Sequence, residues 1–149
     1  MYTIEEFDKG KTKILKYIIY KKRSESEIRN KFKKEMGEDL LEDIIEYLKE
    51  AKYIDDKEYI RRVINDFMLL KNLSIREIEY KLCNKGLKKD DIEDYVYIND
   101  EELIQYEIKS AKNIINKRIN SYELEDIKQY LFRKGYKKEN INKAIEEIM

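Results

Sequence analysis

The chain has 149 residues, 43% of them charged and 42% hydrophobic, with 32 basic and 32 acidic side chains that cancel to zero net charge. It has no His, no Pro and a single cysteine, Cys83. That composition suits solvated helices and speaks against a uniformly basic nucleic-acid binder, imidazole-based catalysis and an intramolecular disulfide framework.

Met1 to Asp8 is polar and acidic, with no signal-peptide pattern, and residues 1–10 are expected to form a short frayed lead. Apolar periodicity then predicts nine helices over about 9–22, 24–35, 39–51, 55–71, 74–85, 88–97, 99–118, 121–134 and 137–149. Ser24 with Glu27, and Ser74 with Glu77, have capping-box spacing, in which hydroxyl and carboxylate satisfy each other's backbone donors. Asp55 or Asp56, and Asn99 or Asp100, stand where the two long helices need caps. Ile60, Ile64, Phe67 and Met68 follow helical spacing, as do Leu103, Ile104, Ile108, Ala111 and Ile115. Strand alternation is absent over any useful length.

Helix ends are legible as well. Leu82, Gly86 and Leu87 have the spacing of a Schellman ending, with a left-handed Gly between two apolar partners. Leu131, Gly135 and Tyr136 repeat it 49 residues later. The likeness runs through the whole of Leu82–Ile92 and Leu131–Ile141, and Ile78 recurs as Ile127. Ile28, Phe32 and Gly37 form a degenerate first copy, whose turn should differ because Glu38 stands where the apolar partner belongs. Such a period means stacked copies of one supersecondary unit. The expected fold is all-α: three tandem three-helix repeats (11–52, 53–97 and 98–149) in an elongated, curved array.

Chemistry is sparse. The four glycines are isolated, so no phosphate loop is present, and zinc would have only carboxylates and one thiol. No enzyme activity, cofactor, metal or small-molecule substrate is expected. Apolar runs such as Tyr17–Tyr20 and Phe67–Leu70 are too short for a bilayer, so no membrane role is expected, and a reducing cytoplasm suits the lone Cys83. Cys83 reads as a buried small apolar residue or a surface bystander. Asp55–Asp56 reads as capping rather than a metal or catalytic pair, since adjacent residues at a helix start point apart. Tyr20 and Tyr130 stand near basic clusters, where an exposed ring serves as an interface anchor or stacks on a base.

Zero net charge conceals segregation. Residues 21–34 hold seven basic and two acidic side chains, 71–89 hold six and two, and 109–138 hold nine and three. Between them, 35–58 hold ten acidic and three basic residues, and 90–107 hold eight acidic and no basic ones. Two readings stand open. The blocks pair with one another along a solvated surface, or the basic ones align into a stripe for an anionic partner. Lys88 and Lys137 favour the stripe, because each puts a cation at a helix N-terminus, the positive end of the dipole.

Four segments stand in register: Arg23-Ser24-x-Ser26-Glu27-Ile28; Tyr53-Ile54-Asp55-Asp56 before a long helix; Ile78-x3-Leu82-x3-Gly86-Leu87; and Tyr130-Leu131-x-Arg133-Lys134-Gly135-Tyr136. Together they resemble the bacterial RecX regulatory proteins. The likeness spans roughly Lys11 to the C-terminus. Departures are the short sequence before the first repeat and Lys71-Asn72-Leu73-Ser74, where the family usually places a Gly. The resemblance implies a regulator that lies in the groove of the RecA–single-stranded DNA filament and restrains its recombinase and co-protease activities. Single-stranded DNA would be met only indirectly or weakly. Candidate contacts are Lys21, Lys22, Arg23, Lys85, Lys88, Lys89, Arg133, Lys134, Lys137 and Lys138. Rival readings are a direct DNA-binding helical array and a helical adaptor for an unrelated protein.

Overall fold

The computed structural model describes residues 1–149 as nine helices and no strand. They are α1 (Ile4–Tyr20), α2 (Glu25–Phe32), α3 (Glu38–Glu50), α4 (Asp56–Leu70), α5 (Ile75–Asn84), α6 (Lys89–Ile98), α7 (Asp100–Arg118), α8 (Leu124–Lys134) and α9 (Lys138–Ile148). Both capping boxes form. Ser24 Oγ accepts from the Glu27 amide at 3.1 Å while the Glu27 carboxylate accepts from Ser24 N–H. Ser74 and Glu77 repeat the arrangement.

Three starts depart from expectation. Helix α1 begins at Ile4, not near residue 9, because Thr3 Oγ1 accepts from the Glu6 amide at 3.1 Å and the Phe7 ring packs edge-on against Tyr47. Helix α8 begins at Leu124 because residues 119–122 close a turn on the Arg118 carbonyl. Asn99 caps by backbone only, its side-chain amide donating backwards to the Tyr95 carbonyl. Asp55 does cap α4 by its side chain, at 3.2 Å from the Glu58 amide.

The Schellman endings are complete. Gly86 and Gly135 have φ of 80° and 103°. Leu87 and Tyr136 donate back to the Leu82 and Leu131 carbonyls at 3.4 and 3.1 Å. Gly37 instead has φ of −64° and starts α3. One further ending of this kind was not foreseen. After α3, Lys52 itself takes φ of 67°, with Tyr53 donating to the Leu48 carbonyl at 2.8 Å.

Three apolar cores follow one another along the chain. The first joins α1 to α3 around Ile14, Ile28, Ile44 and Leu48, closed by Ile54. A second gathers α4 to α6 around Ile60, Ile64, Ile78 and Leu82. The third gathers α8 and α9 around Ile127, Leu131, Tyr136 and Ile141. Helix α7 splices the last two, since its Leu103 and Tyr106 enter the second core and its Ile108, Ala111, Ile114 and Ile115 enter the third. The accessible surface is 10194 Å². A compact chain of this mass exposes about 8100 Å². The excess is that of an elongated array. No helix is long and apolar enough to cross a membrane.

Candidate partner-binding surface

The middle helices of the repeats are joined end to end. Besides capping its own helix, buried Ser24 donates from Oγ to the Lys85 carbonyl at the end of α5, at 2.6 Å. Ser74 donates likewise to the Lys134 carbonyl at the end of α8, at 2.8 Å. The N-terminus of α2 therefore abuts the C-terminus of α5, and that of α5 abuts the C-terminus of α8. Each contact brings the positive end of one helix dipole to the negative end of the next and satisfies a terminal carbonyl.

The glycines make this approach possible. A Cβ on Gly86 would lie 2.5 Å from Ser26 Cβ, and one on Gly135 would lie 2.9 Å from Arg76 Cβ. Repeats at the two ends of the array lack the unused half of the joint. Nothing docks on the end of α2, which has no left-handed Gly there, and nothing is docked by the start of α8, where exposed Glu123 replaces the serine and makes no side-chain cap.

Each joint also holds a carboxylate whose reach to another helix sequence reading did not show. Asp56, at the start of α4, accepts from the Glu25 amide at 2.9 Å, and burial pushes its carboxyl above the usual range. Glu107, fully buried on α7, accepts from the Ile75 amide at 2.9 Å, the Lys137 amide at 3.3 Å and the side chain of Asn140. It thus serves the N-termini of α5 and α9 together. Beside it, Tyr106 Oη accepts from Leu73 N–H and donates to the Lys71 carbonyl, and Ser110 pairs with the Tyr136 hydroxyl at 2.6 Å. Burial raises both tyrosine hydroxyls. The segment from Lys71 to Ile75 is thereby pinned along α7.

The ten candidate cations fall into three settings. Lys21, Lys22 and Arg23 follow α1, with Lys21 exposed and the Arg23 guanidinium stacked 4.2 Å from the Tyr17 ring centroid. Lys85, Lys88 and Lys89 bracket the turn between α5 and α6. Lys85 is half-buried at the joint, Lys89 pairs with Glu93 at 3.8 Å, and exposed Lys88 lines a mixed-charge cleft with Glu25, Lys49, Asp56 and Asp91. Arg133, Lys134, Lys137 and Lys138 bracket the turn between α8 and α9. Lys134 bridges the joint to Glu77 at 3.3 Å, and exposed Lys137 stands near Glu79, whose carboxyl burial holds above the usual range despite that cation.

Arg133 and Lys134 share a groove across the second joint with Arg76, Tyr80, Lys81 and Asn84. Arg133 and Lys138 share the neighbouring groove with Lys128. Arg76, Lys81 and Lys128 thus belong with the candidates that the structure brings together. Their only signal in the sequence is membership of the basic blocks.

Lys88 and Lys137 are indeed N-caps without a side-chain cap bond. The Lys137 backbone amide donates to the joint carboxylate Glu107, and Lys88 lines the same cleft as Asp56. Tyr130 is not free, because the Arg118 guanidinium covers its ring at 3.9 Å, whereas Tyr20 is exposed. Cys83 is exposed.

Pairing between charge blocks is limited. Arg29 binds Glu42 at 2.6 Å and Glu25 at 3.1 Å, and Lys49 binds Glu25 at 3.1 Å. Burial of Glu25 opposes its ionisation, but the hydrogen bonds from Lys49 and Arg29 outweigh it and hold the carboxyl below the usual range. Lys21, Lys22, Lys31, Lys33 and Lys34 form no ion pair, and of the acidic residues between 90 and 107 only Glu93 does. Most of the segregated charge is therefore left facing solvent, where it adds little to stability and remains open to a charged partner.

No family model matches the chain. It is similar to curated proteins named "Regulatory protein RecX". The one from Clostridium beijerinckii is 31% identical over 97% of this chain and 70% of its own length. Another, from Finegoldia magna, is 33% identical over 91% of this chain and 70% of its own length. In three dimensions the crystal structure of RecX from Lactobacillus salivarius superimposes with a TM-score of 0.82, covering 97% of each chain at 24% identity. That likeness shows a shared fold.

Proposed function

This chain belongs to the RecX family of regulatory proteins, and on that premise we propose that it is a non-enzymatic cytoplasmic modulator that binds the RecA–single-stranded DNA filament. It lies along the filament groove and restrains recombinase and co-protease activity. Its repeats, taken as 11–52, 53–97 and 98–149, engage successive subunits, so modest contacts per repeat add up to useful avidity. Contacts come from the cations beside the joints: Lys21, Lys22 and Arg23; Lys85, Lys88 and Lys89; Arg133, Lys134, Lys137 and Lys138. A ligand held across several subunits opposes the conformational cycling that turnover requires, by binding one arrangement better than others.

The observation that carries this reading is the end-to-end series of joints, Ser24 on Lys85 and Ser74 on Lys134. It fixes the spacing of the repeats and gives a rigid ruler suited to a periodic partner. The test adds purified protein to preformed filaments and follows strand exchange, with naked DNA binding measured across salt. Loss of exchange below one protein per RecA subunit, with weak naked-DNA binding, is expected. Unchanged exchange at saturation refutes the reading. Tight, steeply salt-dependent binding to naked DNA would move the function to the Arg76–Lys81–Arg133 groove instead.

A further inference from the structure

Counted back from the residue that caps each middle helix, the fifth and fourth positions are Ile19 and Tyr20, Leu69 and Leu70, and Arg118 and Ile119. These are the ends of α1, α4 and α7, which bury Ile14, Ile18, Ile60, Ile64, Ile114 and Ile115. The ends are not. Ile19 and Tyr20 are 77% and 87% exposed, Leu69 and Leu70 83% and 77%, and Ile119 38%. The chain leaves the first two in the same extended conformation, with Lys21 at φ −157°, ψ 136° and Lys71 at φ −132°, ψ 153°. In the third copy Arg118 is occupied by Tyr130, and Tyr122 supplies the second exposed apolar surface.

The spacing of these positions is set by the joints. Each pair lies four and five residues from a capping residue, and Ser24 and Ser74 are the residues hydrogen-bonded to the neighbouring repeat. From Ser74 to Lys85 is eleven residues of helix, so successive pairs stand roughly 15–20 Å apart. Each is also flanked in sequence by cations: Lys16, Lys21 and Lys22 at the first, Lys71 at the second and Lys117 at the third, with Asp66 the one acid among residues 16–22, 66–72 and 116–122.

We propose that these positions form a row of anchors, one per repeat, that seat in acid-rimmed apolar depressions repeated along a polymer of identical protein subunits. The inference rests on the filament-binding reading above and names the surface that does the binding. The exposed Ile19, Tyr20, Leu69, Leu70 and Ile119 contribute nothing to the chain's own cores, and burying such side chains against a partner is where interface affinity concentrates. Nucleic acid is the poorer occupant, because Tyr20 and Tyr122 alone offer a stacking face while Ile19, Leu69, Leu70 and Ile119 offer none. A second copy of this chain is poorer too, because a self-complementary contact sets Lys21, Lys22 and Lys71 against like charge. Cations around an apolar anchor match a protein surface with acids around an apolar hollow.

The test is co-sedimentation of the full-length protein with preformed RecA–single-stranded DNA filaments, comparing wild type with I19S/Y20S, L69S/L70S and the four-residue combination. Each pair should weaken binding by about tenfold or more, and the combination by far more, with melting temperature and naked-DNA retention unchanged. Should a double variant melt early, Leu70→Ser alone gives the same reading with a smaller effect. Wild-type binding retained by all variants overturns the row while leaving filament binding intact. Absence of wild-type co-sedimentation overturns the functional reading and the row with it. Self-association of wild type that the variants abolish assigns the row to a second copy and overturns the proposal.

Discussion

Replacing Gly86 with Ala separates two costs that the structure places at one atom. At φ of 80°, an L-residue is disfavoured by about 1–2 kcal/mol wherever it occurs. The new Cβ would also lie 2.5 Å from Ser26 Cβ and Oγ in the preceding repeat, and such overpacking costs about 1–3 kcal/mol. The expected total is about 2–5 kcal/mol, a large share of the roughly 5–15 kcal/mol that holds an ordinary domain. Ser26→Gly alone should cost no more than about 1 kcal/mol, for glycine in a helix.

Combined, G86A/S26G keeps the backbone strain and loses the overlap. A double-mutant cycle by urea unfolding should therefore show a favourable coupling of about 1–3 kcal/mol. Gly37→Ala is the control. With φ of −64° and no neighbour within 4 Å of its Cβ, it should change stability by under about 0.5 kcal/mol. Strict additivity of G86A and S26G would mean that Gly86 serves its own turn alone, and the repeat joint would lose its steric basis.

Other outcomes follow from the same geometry. Glu107→Ala strands the Ile75 and Lys137 amides and the Asn140 side chain, and should cost about 3 kcal/mol or more in urea unfolding; a loss under about 1 kcal/mol would show that the carboxylate is dispensable. Lys52→Gly relieves a left-handed lysine at φ of 67° and should gain about 1 kcal/mol, read as a raised midpoint with unchanged slope. Asp56 has a folded pKa raised by burial, so its contribution is fully present below the ordinary aspartate pKa and is lost as pH rises through the higher folded value. Asp56→Asn keeps the acceptor for Glu25 N–H and removes that titration. Its melting temperature should exceed wild type at neutral pH and converge with it in acid, and an unchanged gap across pH would contradict the assignment.

What could be read from the sequence was local. Ser24 with Glu27, and Leu131 with Gly135 and Tyr136, are contacts within one turn of chain, so their spacing alone announces them. The repeat period added the stacking of units, because Gly86 and Gly135 recur with both apolar partners. The second hydrogen bond of Ser24, to a carbonyl 61 residues away, leaves no local trace, and neither does the reach of Glu107 back to Ile75 across 32 residues. Lys52 was missed because a left-handed lysine carries no compositional signal. The start of α1 was missed because Thr3 looks like any polar residue until Glu6 is seen above it. Charge segregation was visible, but which cations share a groove depends on the joints, and so Arg76 and Lys81 entered only with the structure.

Helical repeats held end to end by the Ser24 and Ser74 joints are proposed to lie along a periodic protein partner. Electron cryomicroscopy of RecA–single-stranded DNA filaments saturated with this protein tests this arrangement most directly. The end-to-end helices α2, α5 and α8 should follow the filament groove, with the loops after α1, α4 and α7 meeting successive subunits. Density confined to one repeat, contact through the opposite side of the array, or bare filaments at saturation would contradict it.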